Sequence, residues 1–209
     1  MPDFSPEDRS ARPPISLVDA YTHCPLCGSN QLSRGGGCLK CEACGHREFG
    51  NPVTAVAIFL FDAEGRVLLI RRGREPALGK WAPPGGFLDA GEYLEEAVVR
   101  ETGEETGLVP DKIRYLASFP NAYVYQGLAR PVCDVFFTAE VTSAHVTMQH
   151  GEVDDFRWIN PREIDPCDLA FDSMRRAFAV LLRSMRRLRD DEIGIARAEV
   201  LKHDEGISQ

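Results

Sequence analysis

The chain has 209 residues, 44% hydrophobic and 27% charged, which is enough for one globular domain with a buried core and a small appendage. Its formal net charge of −8 argues against general binding to nucleic-acid backbones, which usually needs a basic footprint. No apolar run approaches the roughly 20 residues that span a bilayer, and MPDFSPEDRSARPPIS lacks a signal-peptide core, so a cytoplasmic protein with no membrane attachment is expected.

Residues 1–20 hold four prolines among polar residues and read as an extended arm. In residues 21–49 the stretch CPLCG is echoed by CEACG, each a Cys-x-x-Cys-Gly. Cys24, Cys27, Cys41 and Cys44 can present four thiolates to zinc in a tetrahedron. The glycine after each second cysteine suits the positive φ of a tight turn. Cys38 offers a competing register with Cys41, but without the matching glycine. With no secretory signal the cluster reads as a structural zinc ribbon, not a disulfide framework. So short a ribbon cannot build a core, and zinc binding supplies most of its folding energy.

Gly50-Asn51-Pro52 marks a domain junction. VTAVAIFLF, Val53 to Phe61, is a buried strand by its apolar, β-branched run; the turn DAEG leads to RVLLIRR as its hairpin partner. A loop with Gly79, Pro83, Pro84, Gly85 and Gly86 precedes a helical segment. VCDVFFTAEV (Val132 to Val141) and DFRWI (Asp155 to Ile159) read as further strands. Strands with interspersed helices predict a layered α/β (α+β) domain over residues 50–168. Residues 169–209 hold an amphipathic helix, with Met174, Phe178, Leu181, Met185 and Leu188 on the face that packs on the domain, and then a polar, frayed tail.

The helical segment from Glu92 to Gly107 ends in RETGEETG. Leu94, Ala97 and Val98 form its inward stripe. With Leu94 at zero, Glu101 falls at roughly 340° and Glu105 at roughly 20°, on the same buried face. Glu104 lies at the rim, near Arg100 in azimuth. Carboxylates on an inward face are costly unless a cation pairs with them, and such a set of acids suits Mg²⁺ or Mn²⁺. The alternative is a solvated helix end. Against it, acids near a helix C-terminus oppose the dipole, and Gly103 costs about 1 kcal/mol relative to alanine.

From Gly86 the sequence GFLDAGEYLEEAVVRETGEETGL resembles the Nudix box, with Gly86, Glu92, Arg100, Glu101, Glu104, Glu105, Gly107 and Leu108 in register. Thr102 departs, standing where the family prefers an aliphatic residue; its methyl can still pack. The preceding WAPPGG also resembles the family. The resemblance implies a Nudix α/β/α sandwich with a mixed sheet, and hydrolysis of a diphosphate linkage in a nucleoside diphosphate derivative. By motif position Glu101, Glu104 and Glu105 hold the divalent metals, Mg²⁺ or Mn²⁺, while Glu92 and Arg100 pair to hold the loop against the helix. Gly85 and Gly86 fall on the substrate side. Relatives often recruit a further glutamate as general base, and Glu152 in HGEVDDFRWI is the candidate; a surface loop acid is the alternative.

A zinc ribbon ahead of such a domain is similar to the NADH pyrophosphatase-like and ADP-ribose pyrophosphatase-like branch. The stretch SFPNAYVYQG shares a serine, a proline and aromatic character with that branch's NADH marker, but not its tryptophan and repeated prolines. The substrate class implied is therefore a nucleotide sugar or dinucleotide of ADP-ribose, NADH or FAD type. Phe119, Tyr123 and Tyr125 are candidates to stack on a base, with core packing as the alternative. LAFDSM is a candidate to close the pocket from the helix side. Other classes remain open: a zinc-ribbon binding or regulatory protein on a Nudix scaffold, a housecleaning nucleoside triphosphate pyrophosphatase, or an enzyme of capped RNA ends. Nudix relatives are often dimers, so a homodimer is an expectation resting on the resemblance alone.

Overall fold

A computed structural model describes residues 14–148 and 151–187 of the chain. The first thirteen residues of the expected arm, and Leu188 with the tail beyond it, lie outside the described residues.

The ribbon is a three-stranded antiparallel sheet of β2 (Leu32–Gly35), β3 (Cys38–Cys41) and β4 (Arg47–Phe49); the two-residue strand β1 (Ile15–Ser16) precedes it. The main sheet contains β5 (Val53–Phe61), β6 (Val67–Arg72), β7 (Trp81–Ala82), β8 (Asp111–Tyr125), β9 (Leu128–Glu140) and β10 (Val153–Ile159), with helix α1 (Leu94–Thr106) between β7 and β8. A second helix, α2, runs over 172–187. Along the sheet the order is β1-β9-β5-β6-β10, with β7 pairing β6 and β8 pairing β9. β5 and β9 run parallel, whereas β8–β9 and β6–β10 are antiparallel, which makes the sheet mixed as expected.

The side chains of β5 alternate between two cores, as period two requires. Val56, Ile58 and Leu60 face α1, where Ala97 and Val98 meet them together with Leu68, Val135 and Phe137. Ala57, Phe59 and Phe61 face the opposite way, against Phe136 and the Met174, Ala177, Phe178 and Leu181 stripe of α2. Phe59 packs on Phe136 and Phe178 at ring-centroid distances of 6.3 and 6.2 Å. The C-terminal helix drawn from the sequence as a separate segment is thus the second outer layer of the sandwich.

The strands expected at Val53–Phe61, in RVLLIRR, at Val132–Val141 and at Asp155–Ile159 all form, with small shifts at their ends. The fifteen-residue β8 was not read from the sequence. Among the described residues no helix is long and apolar enough to cross a membrane.

One departure from regular pairing creates the site. β5 and β6 meet only at Phe61 and Val67, then part. The loop after β7 enters the wedge and takes over the open edge of β5: Val56 N–H donates to Gly86 O at 2.8 Å and Ile58 N–H to Pro84 O at 2.9 Å. A Cβ on Gly85 would lie 2.1 Å from Val56 O, so only glycine fits this approach.

Candidate active site

Helix α1 starts where Glu96 accepts from the N–H of Tyr93 and ends on Gly107, whose φ of 69° and N–H bond to Gly103 O make a left-handed cap. Between these ends the wheel holds: Ala97, Val98 and Glu105 are buried, the Glu101 side chain is 14% exposed, and the Glu104 side chain is 50% exposed. Glu105 Oε2 accepts from Gly85 N–H at 2.8 Å. A Cβ on Gly86 would sit 2.4 Å from Glu101 Oε1, so that carboxylate lies directly over the second glycine of the loop.

Arg100 gathers the acids that the buried face does not take. Its Nε and Nη2 donate to the two carboxylate oxygens of Glu92 at 2.6 and 2.9 Å, and Nη2 also donates to Phe87 O at 3.0 Å. Its Nη1 donates to Glu101 at 2.8 Å and to Glu104 at 3.3 Å. The Arg100 guanidinium, with the N–H of Asp89, holds Glu92 down to about 2. The paired Glu92 and Arg100 therefore tie the loop to the helix.

Glu101, Glu104, Glu105 and Glu152 line one cavity of about 320 Å³. Burial pushes Glu105 up to about 8, and the charges of Glu101 and Glu152 add to this against the Gly85 N–H bond and Arg72. Burial also raises Glu101, opposed by Arg100. Glu152 reaches the cavity because Gly73 N–H donates to its carbonyl at 2.9 Å, and Arg74 Nη1 pairs with its carboxylate.

The cavity has six carboxylates, from Asp89, Glu101, Glu104, Glu105, Asp134 and Glu152, against the two guanidinium groups of Arg72 and Arg74. Even with Arg100 on Glu101 and Glu104 the acids outnumber the cations, and Glu101, Glu105 and Asp134 are largely shielded from water, so the set is one that a hard divalent ion fits. Glu101, Glu104 and Glu105, the three that α1 presents to the cavity, could hold it.

The ribbon cysteines form a tighter group. The ligand atoms of Cys24, Cys27, Cys41 and Cys44 all lie within 4.8 Å of one another. Cys24 Sγ and Cys44 Sγ are 3.8 Å apart, and Cys27 Sγ and Cys41 Sγ 3.7 Å. Four sulfurs about 2.3 Å from a tetrahedral zinc would be about 3.8 Å apart, so the set fits that ion. The N–H of Cys44 holds the Cys41 thiol down to about 6 against burial, which favours a ligand thiolate. Gly28 and Gly45 have φ of 74° and 77°, as the repeated knuckle predicts. Cys38 is not among the four converging thiols, and its Sγ contacts Leu39 O instead.

The aromatic candidates divide. Tyr123 lines the main cavity, with Phe87 edge-on at 5.3 Å and Phe171 at 6.3 Å. Tyr125 lines a smaller neighbouring hollow with Leu17, Leu128 and Arg130. Phe119 lies against Phe136 and beneath the Arg176 guanidinium, outside the cavity lining, as the core-packing alternative has it. In LAFDSM, Phe171 and Met174 line the cavity. Sequence reasoning missed Arg72, Arg74, Asn121 and Asp134, which carry no motif and meet only in the fold.

The family described as "NUDIX domain" matches residues 51–181. The chain is 26% identical over 178 residues to the NAD-capped RNA hydrolase NudC of Deinococcus radiodurans, a match covering 82% of this chain and 61% of that protein. It is 46% identical over 65 residues to the ADP-ribose pyrophosphatase of Methanocaldococcus jannaschii, covering 31% of this chain and 38% of that one. The chain spans a little over half the length of the NudC relatives it matches. Among solved structures, the NUDIX domain of Shewanella oneidensis NrtR, crystallised with ADP ribose, is similar at 27% identity and a TM-score of 0.53, over 65% of this chain and 89% of that one. The matched span takes in α1, the loop in the wedge, Glu152 and most of α2, and the chain belongs to the Nudix family.

Proposed function

We propose that the chain is a metal-dependent Nudix pyrophosphohydrolase of the NADH pyrophosphatase-like branch, cleaving the diphosphate linkage of a nucleoside diphosphate derivative of ADP-ribose, NADH or FAD type. The observation that carries this is the charge balance of the cavity: six carboxylates and two guanidinium groups beside a glycine loop. A diphosphate cannot enter such a site unless cations neutralise it, and the glutamates are the residues that would hold them.

Bound divalent ions would neutralise the phosphate oxygens and lower the pKa of a water. Glu101 and Glu105, fixed by Arg100 and by the Gly85 N–H, would hold such ions at the loop. Arg72 and Arg74 face the cavity and can pair with the phosphate oxygens that remain. Glu152 is the residue to take the proton of the attacking water. The water oxygen bonds to one phosphorus, the bridging P–O bond breaks towards the other phosphate, and two phosphomonoesters leave.

The relatives named for NAD-capped RNA put capped RNA ends among the substrates to test. The deciding experiment is a panel of ADP-ribose, NADH, NAD⁺, FAD, nucleoside triphosphates and NAD-capped RNA with Mg²⁺ or Mn²⁺, wild type beside Glu105→Gln. Phosphomonoester release from at least one nucleoside diphosphate derivative is expected, lost in the variant. Hydrolysis of none would overturn the reading. Release of pyrophosphate from triphosphates alone would favour the housecleaning alternative.

A further inference from the structure

The wall of the cavity away from the metal-facing glutamates carries polar groups that phosphate chemistry does not use. Asp134 on β9 lines it and is only 7% exposed. Asp134 Oδ2 accepts from Asn121 Nδ2 of β8 at 2.8 Å and from the hydroxyl of Ser173 in the first turn of α2. Strand, neighbouring strand and helix thus converge on one oxygen of one carboxylate. Its other oxygen, Oδ1, has no donor among the described residues. It is also not one of the sealed, partnerless side-chain atoms, which among the described residues are Arg71 Nε, Thr102 Oγ1 and Arg157 Nε.

Beside Asp134 the same cavity is walled by Tyr123 and Phe171, with Phe87 edge-on to Tyr123. Aromatic walls fit a planar ring. A buried carboxylate oxygen beside them fits a ring that carries an N–H donor, and rejects one that presents an acceptor, because two acceptors facing each other leave both unpaired.

We propose that Asp134, oriented by Asn121 and Ser173, is a specificity residue that accepts a hydrogen bond from an NH₂ group on a planar ring of the substrate. This deepens the pyrophosphohydrolase reading and rests on it for the identity of the ligand. Two rings of such substrates share the chemistry: a 6-aminopurine and a nicotinamide.

Binding decides the matter without turnover. Calorimetry at pH 7.5 compares AMP with IMP, and nicotinamide mononucleotide with nicotinic acid mononucleotide, on the zinc-loaded full chain with Mg²⁺. Wild type is expected to prefer the NH₂-bearing member of one pair by about tenfold or more. The pair that responds tells purine from nicotinamide. In Asp134→Asn the inner donors of Asn121 and Ser173 hold the amide oxygen inward, turning its NH₂ to the cavity. The preference in that pair is then expected to fall at least tenfold or to invert, with melting temperature and the response to the other pair unchanged. Should Asp134→Asn not fold, Ser173→Ala keeps the carboxylate and is expected to weaken the preference. No preference beyond threefold in either pair overturns the proposal. So does a preference that survives these substitutions. Absence of hydrolysis with preference intact would count against the enzyme reading alone.

Discussion

Glu105 Oε2 accepts the backbone N–H of Gly85 at 2.8 Å, so the carboxylate on the buried face of α1 also pins the loop that fills the gap between β5 and β6. Two substitutions separate these tasks. Glu105→Gln keeps an acceptor for Gly85 and removes the charge: it is expected to fold normally and to lose about 100-fold or more in kcat with Mg²⁺. Gly85→Ala drives a methyl to 2.1 Å from Val56 O and is expected to destabilise by about 3 kcal/mol or more in urea melts. A Gly85→Ala protein of parental stability would contradict the close approach.

The pH dependence of stability has a definite sign. Without metal, Glu105 titrates at about 8, against 4.5 for the unconstrained side chain. Between these values the folded chain keeps a proton that the unfolded chain has released. Stability of magnesium-free protein is therefore expected to fall as pH rises from about 4.5 to about 8, then to level off. Mg²⁺ bound as proposed would favour the ionised form, so its stabilising effect is expected to grow across the same window. Thermal melts of desalted protein check this, since a chelator would also strip the ribbon. A flat profile that Glu105→Gln leaves unchanged would remove the buried acid from the account.

Glu152 is the proposed base, held in reach by Gly73 and by the Arg74 pair. Glu152→Gln is expected to lower kcat strongly with little change in KM. A rate within about threefold of the parent takes it out of the catalytic set, since base catalysis is worth about 10²-fold or more.

Two neighbours on α1 carry removable costs. Thr102 is fully buried and its hydroxyl has no partner among the described residues, so Thr102→Val is expected to raise stability by about 1 kcal/mol. A Cβ on Gly103 meets nothing within 4 Å, so Gly103→Ala is expected to gain about 0.5–1 kcal/mol. Urea midpoints for the two single variants decide both.

The ribbon is expected to hold one zinc ion per chain by metal analysis. Cys41→Ser, which replaces a buried member of the quartet, is expected to release it and unfold β2–β4. Cys38→Ser should leave the zinc in place.

The sequence was readable where a local pattern states its own purpose. β5 and β6 are apolar runs, the knuckles repeat, and the spacing of Glu101 and Glu105 put both acids on the buried face before any packing was known. β8 was missed because DKIRYLASFPNAYVY has neither an apolar run nor clean alternation. It is an edge strand, half in solvent, with Pro120 in its middle and two register shifts against β9. Thr102 was expected to pack through its methyl, and it does, but the orphaned hydroxyl needed the fold to be seen. Asp134, Asn121 and Ser173 come from three elements, and only the pairing of β8 with β9 and the docking of α2 bring them to one point.

The parallel pairing of β5 with β9 ties Val53 to Val132 and Phe61 to Glu140, and Glu101, Glu104 and Glu105 of α1 all lie in the chain between them. Local pieces, such as the ribbon, the β8–β9 hairpin and α1 itself, can form early, but this central pair must wait for the long loop to close. A cation held by these glutamates as proposed would therefore depend on a contact between distant parts of the chain, and opening of the β5–β9 pair is expected to release it while the local pieces persist.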